Sequence, residues 1–372
     1  MPRPTFASAS ASETTLLTSL RRALHDAHLP VADAPLQLLT DKGLAHHHVR
    51  LVGTGWLARL PKQSQMGLGA AANLAYEAAC FMRAGPSGNV PLLHGQLPPS
   101  AALPRGGLLV EEIIGRNARL PQDLPAITQA LAAIHALPLP PGAERAPLLD
   151  AADPLAALRA EIDAQAIYLD AAALAPGARS LVDAARANFE QRCERAERPA
   201  RRLIAFDGHP GNFLIRSDGS AILVDLEKAR YSHPPLDLAH ATLYTSTTWD
   251  RETHAELTPA EVLRAYALWQ QHCGDGAAMQ AWFVPLRAAM WLWSVTWCAK
   301  WRVLSPRAAS RSADGEDWSQ QHSSNALIEH VRNRVDCYLA RPAVERVVQE
   351  LEVLRGAFDV AASPSPGSRL AA

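Results

Sequence analysis

The sequence lacks the features that mark membrane, secreted and nucleic-acid-binding proteins. No apolar run reaches the about eighteen residues that a membrane-spanning helix needs. The first residues, Met1-Pro-Arg-Pro-Thr-Phe-Ala-Ser, contain no apolar signal core, so we expect a cytoplasmic protein. A formal net charge of −1 gives no basic field for nucleic acid or for an anionic membrane. We therefore predict no nucleic acid and no membrane among its partners.

Cysteine is also scarce, and its distribution fits neither a disulfide framework nor a zinc site. The 5 cysteines are scattered, form no C-x-x-C pair and leave an odd one over, which favours reduced thiols. Internal repeats are absent as well. What remains is an ordinary globular composition, with 48% apolar and 20% charged residues. A chain of 372 residues is long enough for one large or two modest domains.

The pattern of secondary structure changes near residue 115. Before it, a helix at Glu13–His28 precedes short β-like runs that are interrupted by one helix, Ala70–Ala84. The β-like runs are Leu36–Thr40, His48–Val52, Gly55–Leu60, Val90–Gly95 and Leu108–Ile114. After residue 120 the pattern is almost wholly helical, at Pro121–Ala136, Pro154–Leu169, Ala178–Glu197, Pro259–His272, Ala278–Arg302, Asn325–Leu339 and Val344–Gly356. Only Leu203–Ile215 and Ala221–Leu226 interrupt these helices with short β signals.

This order predicts an α+β fold of two lobes. The N-lobe (13–115) is a small β-sheet with one crossing helix, and the C-lobe (116–360) is larger and mainly α-helical. A cleft between two such lobes is a usual place for a ligand. The Ser/Ala/Pro-rich ends, 1–12 and 361–372, are predicted to be disordered tails, and the polar stretch Pro306–Asp317 is predicted to be a loop.

One loop between two apolar runs carries the residues of phosphoryl transfer. In Leu203–Ile215, Asp207 and Asn212 stand five residues apart, and Asp225 ends the next β-like run eighteen residues after Asp207. Phosphoryl transfer needs a carboxylate that takes the proton of the acceptor, and an amide and a second carboxylate that hold Mg²⁺ against the phosphates. Kinases share this Asp-x-x-x-x-Asn spacing, followed by a metal-binding Asp. The set predicts Asp207 as the catalytic residue, and Asn212 and Asp225 as the magnesium ligands.

Three motifs in this region resemble those of the aminoglycoside phosphotransferase and choline kinase superfamily. Asp207-Gly-His-Pro-Gly-Asn212 matches the second half of the usual His-Gly-Asp-Leu-His-Pro-Gly-Asn loop. Val224-Asp-Leu-Glu-Lys-Ala229 resembles Ile-Asp-Trp-Glu-x-Ala, and Pro234-Pro-Leu-Asp-Leu-Ala239 resembles Asp-Pro-x-x-Asp-Leu-Ala. Ala205 and Phe206 stand where the family has His and Gly; that His braces the loop and is not a reacting group. The resemblance covers roughly residues 35–300 and implies a protein-kinase-like bilobal fold.

The resemblance also assigns nucleotide-binding residues in the N-lobe. Trp56-Leu-Ala-Arg-Leu-Pro61 resembles the family's third strand, whose cation binds the α- and β-phosphates; Arg59 falls on this position, with Lys62 as the fallback. Glu77 matches the helix glutamate that pairs with the cation. Gly43 lies where a kinase has its phosphate-covering turn. The less favoured alternative for Glu77 is an exposed residue of an amphipathic helix. Without the downstream motifs, Arg59 is equally well a surface cation at a strand edge.

A second segment of the N-lobe resembles the hinge that binds adenine. Leu108-Leu-Val-Glu-Glu-Ile-Ile-Gly115 places these contacts at the carbonyl of Glu111 and the N–H of Ile113.

In the C-lobe, His135 ends a family-like Leu-x-x-Ile-His-x-Leu helix and is interpreted as a structural brace. Asp237 is predicted to anchor the loop by accepting backbone hydrogen bonds.

Two groups of histidines raise the question of a metal site. His46, His47 and His48 are adjacent, and adjacent residues of a strand face opposite sides, so they cannot all reach one ion. We favour turn and strand residues there. His209, inside the loop, is interpreted as a residue that shapes the loop rather than a metal ligand.

The acceptor is predicted to be a small molecule with a hydroxyl group, cationic and aminoglycoside- or choline-like. Trp293, Trp297 and Trp301 share one face of a predicted helix, and an aromatic face attracts a quaternary ammonium by about 0.5–2 kcal/mol. Such a stripe is also typical of a helix core, with Trp293 as the expected exception. The acidic candidates for acceptor binding are Glu227, Asp250 and Glu252.

We therefore predict an ATP- and Mg²⁺-dependent phosphotransferase that phosphorylates an alcohol group of this acceptor. The alternative is a catalytically inactive kinase homologue that binds nucleotide or ligand, which Ala205 and the single glycine of the phosphate-covering turn favour. The three oxygen-donor residues favour the enzyme, since a chain without phosphates to bind has no need of them together. A protein kinase is disfavoured because G-x-G-x-x-G and an Ala-Pro-Glu segment after Asp225 are missing. The sequence leaves the oligomeric state open.

Overall fold

The computed structural model describes residues 11–40, 43–273, 276, 278–306 and 324–362. Most of the two predicted tails, and the predicted loop after Pro306, lie outside these residues. Within the predicted tails, Ala11 and Ser12 begin the first helix and Ala361 and Ala362 end the last one. Alanine favours the helix, and these ends extend amphipathic helices already predicted from the sequence.

The N-lobe is a five-stranded antiparallel sheet with a helix on each face. Its elements in chain order are α1 (Ala11–Asp26), β1 (Leu36–Leu38), β2 (His46–Leu51), β3 (Trp56–Pro61), α2 (Ala70–Ala84), β4 (Leu93–Leu97) and β5 (Gly107–Glu111). The strand order is β1-β2-β3-β5-β4. Leu109 of β5 packs with Leu20 of α1, whereas Leu108 and Val110 pack with Phe81 of α2. The alternation follows from the period of two residues along a strand.

The register of β2 and β3 determines which side chains face α2. His48 lies opposite Arg59, and His46 lies opposite Pro61. Directly opposed residues of an antiparallel pair share a face, so His46, His48 and Arg59 point the same way. His47 lies opposite Leu60, which packs on the α1 side. The prediction that the three adjacent histidines do not share one face is confirmed.

The C-lobe is mainly helical around two small sheets. In chain order it contains β6 (Arg116–Asn117), α3 (Leu124–His135), α4 (Pro154–Ala166), α5 (Pro176–Cys193), β7 (Arg202–Ile204), β8 (Phe213–Ile215), β9 (Ala221–Leu223), β10 (Arg230–Ser232), α6 (Pro235–Thr242), α7 (Tyr244–Thr247), α8 (Pro259–His272), α9 (Phe283–Leu304), α10 (Asn325–Leu339) and α11 (Arg341–Ala362). Helix α9 is central and packs against α4, α5, α6, α10 and α11. The predicted α+β class and the division into a sheet-rich and a helical part are confirmed.

The two small sheets hold the motif loop and connect it to the N-lobe. β7 pairs with β10, while β6, β8 and β9 form a three-stranded sheet in that order. Directly before β6, Gly115 approaches β8 so closely that a Cβ would lie 2.8 Å from the carbonyl oxygen of Ile215. Glycine is required at this point because any side chain would separate the two segments. Within the part of the chain that the structure describes, no helix has the length and apolarity that crossing a bilayer demands.

Candidate functional site

Asn212 and Asp225 lie at the open end of the β8–β9 hairpin. Phe213 pairs with Leu223, and the ladder continues because the N–H of Val224 donates to the carbonyl of Asn212 at 2.9 Å. Asp225 directly follows this pair. The structure therefore brings the two predicted magnesium ligands together as neighbours across one hairpin.

The side chain of Asn212 connects this hairpin to Asp207. Its Nδ2 donates to the carbonyl of Asp207 at 2.8 Å. A carbonyl oxygen only accepts, so the amide must present its NH₂ group here, and Oδ1 is the atom left to bind a cation. The same bond folds the loop back on itself and gathers Asp207, Asn212 and Asp225 at one end of the hairpin.

A buried aspartate anchors the start of the loop. The carboxylate of Asp237 accepts the N–H groups of Ala205 and Phe206, both at 2.7 Å. It also pairs with Nε2 of His135 at 3.0 Å, and the other ring nitrogen of His135 accepts from Trp269 at 2.9 Å. The predicted anchor role of Asp237 and bracing role of His135 are confirmed. Ala205, although it lacks the family's imidazole, keeps its backbone in place through Asp237.

His209 shapes the middle of the loop, as the sequence predicts. Its Nδ1 accepts the N–H of Gly211 at 3.2 Å. Burial lowers the pKa of His209, so the ring stays neutral and can accept this bond at neutral pH.

Phe206, directly before Asp207, has a strained backbone. Its φ is +62°, in the left-handed region that costs a residue with a side chain about 1–2 kcal/mol. The buried ring compensates for this strain: it meets Trp293 edge-on with the centroids 5.2 Å apart, and the guanidinium of Arg230 lies 3.8 Å from its centroid. Packing of the ring therefore stabilises a backbone conformation at Phe206, the position where the aminoglycoside phosphotransferase and choline kinase motif has glycine.

Two substitutions at Phe206 separate the strain from the packing. We expect Phe206→Ala to lower the free energy of unfolding by about 3–5 kcal/mol, because it empties a buried site. Phe206→Gly empties the same site but relieves the left-handed strain, so it should be the more stable variant by about 1 kcal/mol. Urea unfolding of both variants measures the difference. Equal stabilities would show that the positive φ carries no strain.

Lys228 and His240 hold the carboxylate of Asp207. The Nζ of Lys228 lies 2.6 Å from Oδ2. Nδ1 of His240 lies 3.6 Å from Oδ1 and donates to the carbonyl of Phe206 at 3.1 Å. Burial opposes the charge of Asp207, but the ammonium of Lys228 outweighs it and keeps the pKa of this carboxyl well below its usual range. The sequence singles out neither Lys228 nor His240: the first fills a variable motif position, and the second follows the last motif.

Arg59 reaches from the N-lobe to the residues of the hairpin end. Its guanidinium donates to the carbonyl of Val224 at 2.8 Å and to Oδ1 of Asp225 at 2.9 Å. Its Nε is buried and has no hydrogen-bond partner among the described residues. Arg59 therefore stands beside the predicted magnesium ligands with one polar atom unsatisfied.

Glu77 does not form the pair with Arg59 that the resemblance implies. Its carboxylate accepts from Nε2 of His46 at 2.9 Å and from Nδ2 of Asn73 at 2.7 Å. His46 and Arg59 share the face of the sheet that looks toward α2, and the buried ring of His46 reaches Glu77. The longer side chain of Arg59 extends to Asp225 instead.

His46 lies between two buried carboxyl groups, those of Glu77 and Glu227. Its Nε2 faces Glu77, and its Nδ1 is 3.7 Å from Oε2 of Glu227. The three residues are close enough to hold a metal ion, and in this structure Nε2 of His46 is instead in direct hydrogen-bond contact with Glu77 at 2.9 Å. Burial opposes the charge of His46, yet Glu77 raises its pKa. We interpret the group as an imidazolium between two acceptors.

Glu227 is the most buried of the predicted acceptor residues. Its exposure is 5%, and burial together with Asp225 raises its pKa to about 8. Asp250 accepts the N–H groups of Glu252 and Thr253 at 2.7 and 3.2 Å and lies against Gly211 of the motif loop. The part of both residues in acceptor binding stays a prediction.

The tryptophan stripe of α9 is divided between core and site. Trp301 is buried, as a core residue would be, whereas Trp293 and Trp297 are half-buried. The indole N–H of Trp293 points to Glu161 at 3.3 Å, and Nζ of Lys228 lies 5.4 Å from its ring centroid. Trp293 therefore stands next to the side chain that holds Asp207.

Gly43 lies in the connection between β1 and β2, and Lys62 directly follows β3. The Nζ of Lys62 is 3.4 Å from the carbonyl of Gly43, and its backbone N–H donates to Ala45 at 2.7 Å. Gly43 is exposed, and a Cβ there would meet no atom within 4 Å. Their contact with phosphates stays a prediction.

Glu111 and Ile113 lie where β5 leaves the sheet. The N–H of Glu111 donates to Leu92 at 2.8 Å, and the N–H of Glu112 donates to Gly55 at 2.7 Å. Ile113 follows the end of the strand, and the carboxylate of Glu111 binds Arg216 at 2.7 Å. This is the position of a linker between the lobes; adenine binding by it stays a prediction.

This chain has the fold of several solved structures whose sequences are distant from it. An ethanolamine kinase of Plasmodium vivax is 12% identical with a TM-score of 0.56, over 90% of this chain and 91% of the other. A choline/ethanolamine kinase family protein from Mesorhizobium loti is 18% identical with a TM-score of 0.52, over 91% and 99%. A thermostable mutant of the aminoglycoside phosphotransferase APH(4)-Ia, in a ternary complex with ADP and hygromycin B, is 14% identical with a TM-score of 0.53, over 85% and 94%. These similarities confirm the predicted kinase-like fold.

The sequence was also compared with curated proteins and with family models. No curated protein matches it. The model described as the phosphotransferase enzyme family, APH, matches residues 41–282. This region contains strands β2 to β5 of the N-lobe and the loop that gathers Asp207, Asn212 and Asp225. Because the match extends over more than half of the 372 residues, the chain belongs to the phosphotransferase enzyme family.

Proposed function

We propose that this protein is an ATP- and Mg²⁺-dependent phosphotransferase that phosphorylates a hydroxyl group of a small molecule. The observation that carries the proposal is the convergence of Asp207, Asn212 and Asp225 at the open end of the β8–β9 hairpin. Arg59 reaches the same point from the N-lobe. A carboxylate base, two oxygen donors and a cation are the groups that phosphoryl transfer requires.

The donor set at the hairpin end fits magnesium. Oδ1 of Asn212 is left available by the bond from Nδ2 to Asp207, and the carboxylate of Asp225 keeps 28% of its side chain exposed. Both are hard oxygen ligands, which Mg²⁺ prefers. When held by these residues, the ion would neutralise the phosphate charge that develops during transfer. We propose Asn212 and Asp225 as its protein ligands.

The nucleotide would lie between the lobes, with its phosphates near Arg59. The unsatisfied, buried Nε of Arg59 marks a donor that an acceptor such as phosphate would satisfy. We propose Lys62 and Gly43 at the phosphate-covering turn, and Glu111 and Ile113 at the adenine. The ADP in the APH(4)-Ia complex supports a nucleotide in this fold.

Asp207 would bind the acceptor hydroxyl. Its low pKa keeps it a carboxylate at neutral pH, the form that accepts a hydrogen bond from a hydroxyl and orients its oxygen. The bond between that oxygen and the γ-phosphorus forms as the bond from phosphorus to ADP breaks, and the hydroxyl proton passes to Asp207. The products are ADP and the phosphorylated acceptor.

The acceptor we propose is a small alcohol that carries a positive charge. Trp293 and Asp250 adjoin the loop on the side of Asp207, and Glu227 lies behind Asp225. An aromatic face and a carboxylate such as that of Asp250 favour a cation. Related structures are named for ethanolamine, choline and aminoglycoside substrates, all of them amines with hydroxyl groups.

An acceptor panel with Mg²⁺ and ATP tests this function. We expect ADP release that depends on one class among choline, ethanolamine, hygromycin B and spectinomycin, with a mass gain of one phosphate on that acceptor. Uncharged sugars, which have hydroxyl groups but no positive charge, are the matched negative control. A protein that binds ATP in equilibrium dialysis but releases no ADP with any acceptor would instead be the inactive, ligand-binding homologue.

Substitution of Trp293 tests the acceptor side separately. If its ring contacts a cationic acceptor, Trp293→Ala should raise the acceptor KM about tenfold, the effect of losing roughly 1–2 kcal/mol, with the KM for ATP little changed. Trp301→Phe, two turns along the same helix in the core, is the control that should lower Tm and leave both KM values intact. An unchanged acceptor KM in folded Trp293→Ala would remove Trp293 from the acceptor site.

A further inference from the structure

Lys228 is placed at the reacting end of the proposed site and has no assigned role there. It lies in the connection between β9 and β10, three residues after Asp225. Its side chain is 10% exposed, and its Nζ lies 2.6 Å from Oδ2 of Asp207. The ammonium group is therefore largely withdrawn from water and directed at the carboxylate that would bind the acceptor hydroxyl.

The charges around this ammonium group are those of the proposed reaction centre. The acidic side chains that act on it electrostatically are those of Asp207, Asp225 and Glu227. Asp207 would bind the hydroxyl and Asp225 the magnesium, so the γ-phosphoryl group must pass between these two residues. Lys228 lies within interaction distance of both, where a cation can stabilise the equatorial oxygens of the group in transfer.

The loop does not need Lys228 to hold its backbone. Asp237 anchors Ala205 and Phe206, and Asn212 binds the carbonyl of Asp207. Among the described residues, Nζ of Lys228 has one hydrogen-bond partner, the reacting carboxylate itself. A residue that only stabilised the loop would contact its backbone, as these other residues do.

A group of four side chains fixes the position of the ammonium. Trp293, whose centroid is 5.4 Å from Nζ, meets the ring of Phe206, which stacks on Arg230. Arg230 pairs with Glu161, and Glu161 accepts from the indole of Trp293. This closed circuit of contacts supports one side of Lys228, while Asp207 holds the other.

We infer that Lys228 is a catalytic residue that stabilises the phosphoryl group in transfer, a role that rests on the proposed function. As the hydroxyl proton passes to Asp207, that carboxylate loses its charge and its hold on Lys228. The ammonium has three N–H donors, so it contacts the oxygens of the phosphoryl group while it is still bound to Asp207, and these contacts remain as the bond from phosphorus to the acceptor forms and the bond to ADP breaks. Lys228 itself neither gains nor loses a proton.

An acceptor-independent experiment tests this role. Aluminium fluoride with Mg-ADP forms a planar complex that mimics the phosphoryl group in transfer, and tryptophan fluorescence reports its binding. We expect Lys228→Met to bind Mg-ADP with the affinity of the wild type. The increase in affinity that aluminium fluoride produces should be smaller than in the wild type by about 10²–10³-fold, the usual effect of removing one transition-state donor. Lys228→Arg should recover part of it. Arg264→Met, which removes an exposed cation on α8, is the matched control.

The outcomes separate this role from the proposed function. Equal fluoride-dependent tightening in wild type and folded Lys228→Met would overturn the role of Lys228 alone. A wild-type protein that binds neither Mg-ADP nor the fluoride complex would overturn the proposed function and this role with it. Where an acceptor is found, kcat of Lys228→Met should fall by the same factor as the tightening, with both KM values nearly unchanged; a loss confined to KM would contradict a role in transfer.

Discussion

Replacement of Asp207 by asparagine should lower kcat by about 10²–10⁴-fold, the usual contribution of a positioned general base. Asparagine keeps the size of the side chain but cannot take the hydroxyl proton. Binding of Mg-ATP should remain, because the proposed nucleotide contacts lie on other residues. Steady-state kinetics with the acceptor found in the panel, together with ATP binding by calorimetry, measure both quantities.

Because Asp207 forms an ion pair with Lys228, its replacement should lower stability as well as activity. Asp207→Asn leaves the ammonium, whose side chain is 10% exposed, without its partner, and breaking such a pair costs about 3–5 kcal/mol when it is buried. The double variant Asp207→Asn/Lys228→Met removes the unpaired charge and should regain stability without regaining activity. Recovery of activity in the double variant would show that Asp207 contributes to stability and not to chemistry.

Replacement of Asp225 by alanine should abolish the effect of Mg²⁺ on nucleotide affinity. Loss of an outer partner of a metal site already lowers metal affinity about 10–100-fold, so loss of a direct ligand should lower it by at least that factor. Without Mg²⁺ the affinity for ADP should not fall, since Arg59 is released from Asp225 and becomes available to phosphate. Titration calorimetry of ADP with and without Mg²⁺ measures the two affinities.

The β8–β9 hairpin itself provides the control for Asp225. Asp218 lies in the turn at the opposite end, where its carboxylate accepts from Ser220 and is exposed. Asp218→Ala removes the same charge from the same hairpin and should leave the magnesium effect at its wild-type size. An undiminished magnesium effect in Asp225→Ala would remove this residue from the metal site.

The elements that the sequence predicts well are those with many residues in one pattern. Helices α2, α8 and α10 have the predicted bounds because apolar periodicity extends over 14 or 15 residues in each. At α8, Thr258 adds a capping box and Pro259 marks the first turn. Strands β6 and β10, with 2 and 3 residues, are missed because so few positions cannot show an alternation. The short helix α6 is missed because all 8 of its residues are buried, so no polar face marks it.

The candidate site shows the same division between local and long-range information. Asp207, Asn212 and Asp225 are predictable because the hairpin that gathers them is local. The partners of Arg59 are not, since Val224 lies 165 residues away and the choice between Asp225 and Glu77 depends on the reach of two side chains. His46 pairs with Glu77 because of the register between β2 and β3, which no local sequence pattern reveals. Pairings across the cleft therefore require the fold.

The close approach at Gly115 ties the two ends of the proposed nucleotide site to one small sheet. Residues 111–115 lead into β6, β6 is bonded to β8, and β8 is bonded to β9, which ends beside Asp225. The distance from the linker to the proposed metal ligands is thereby set by the hydrogen-bonded strands of one sheet instead of by the closure of two lobes. Inorganic triphosphate has the same phosphate chain but no base. It would therefore contact the proposed metal ligands but not the linker. The contacts of the nucleoside with the linker would then make the site selective for a nucleotide as the phosphoryl donor, in addition to binding it.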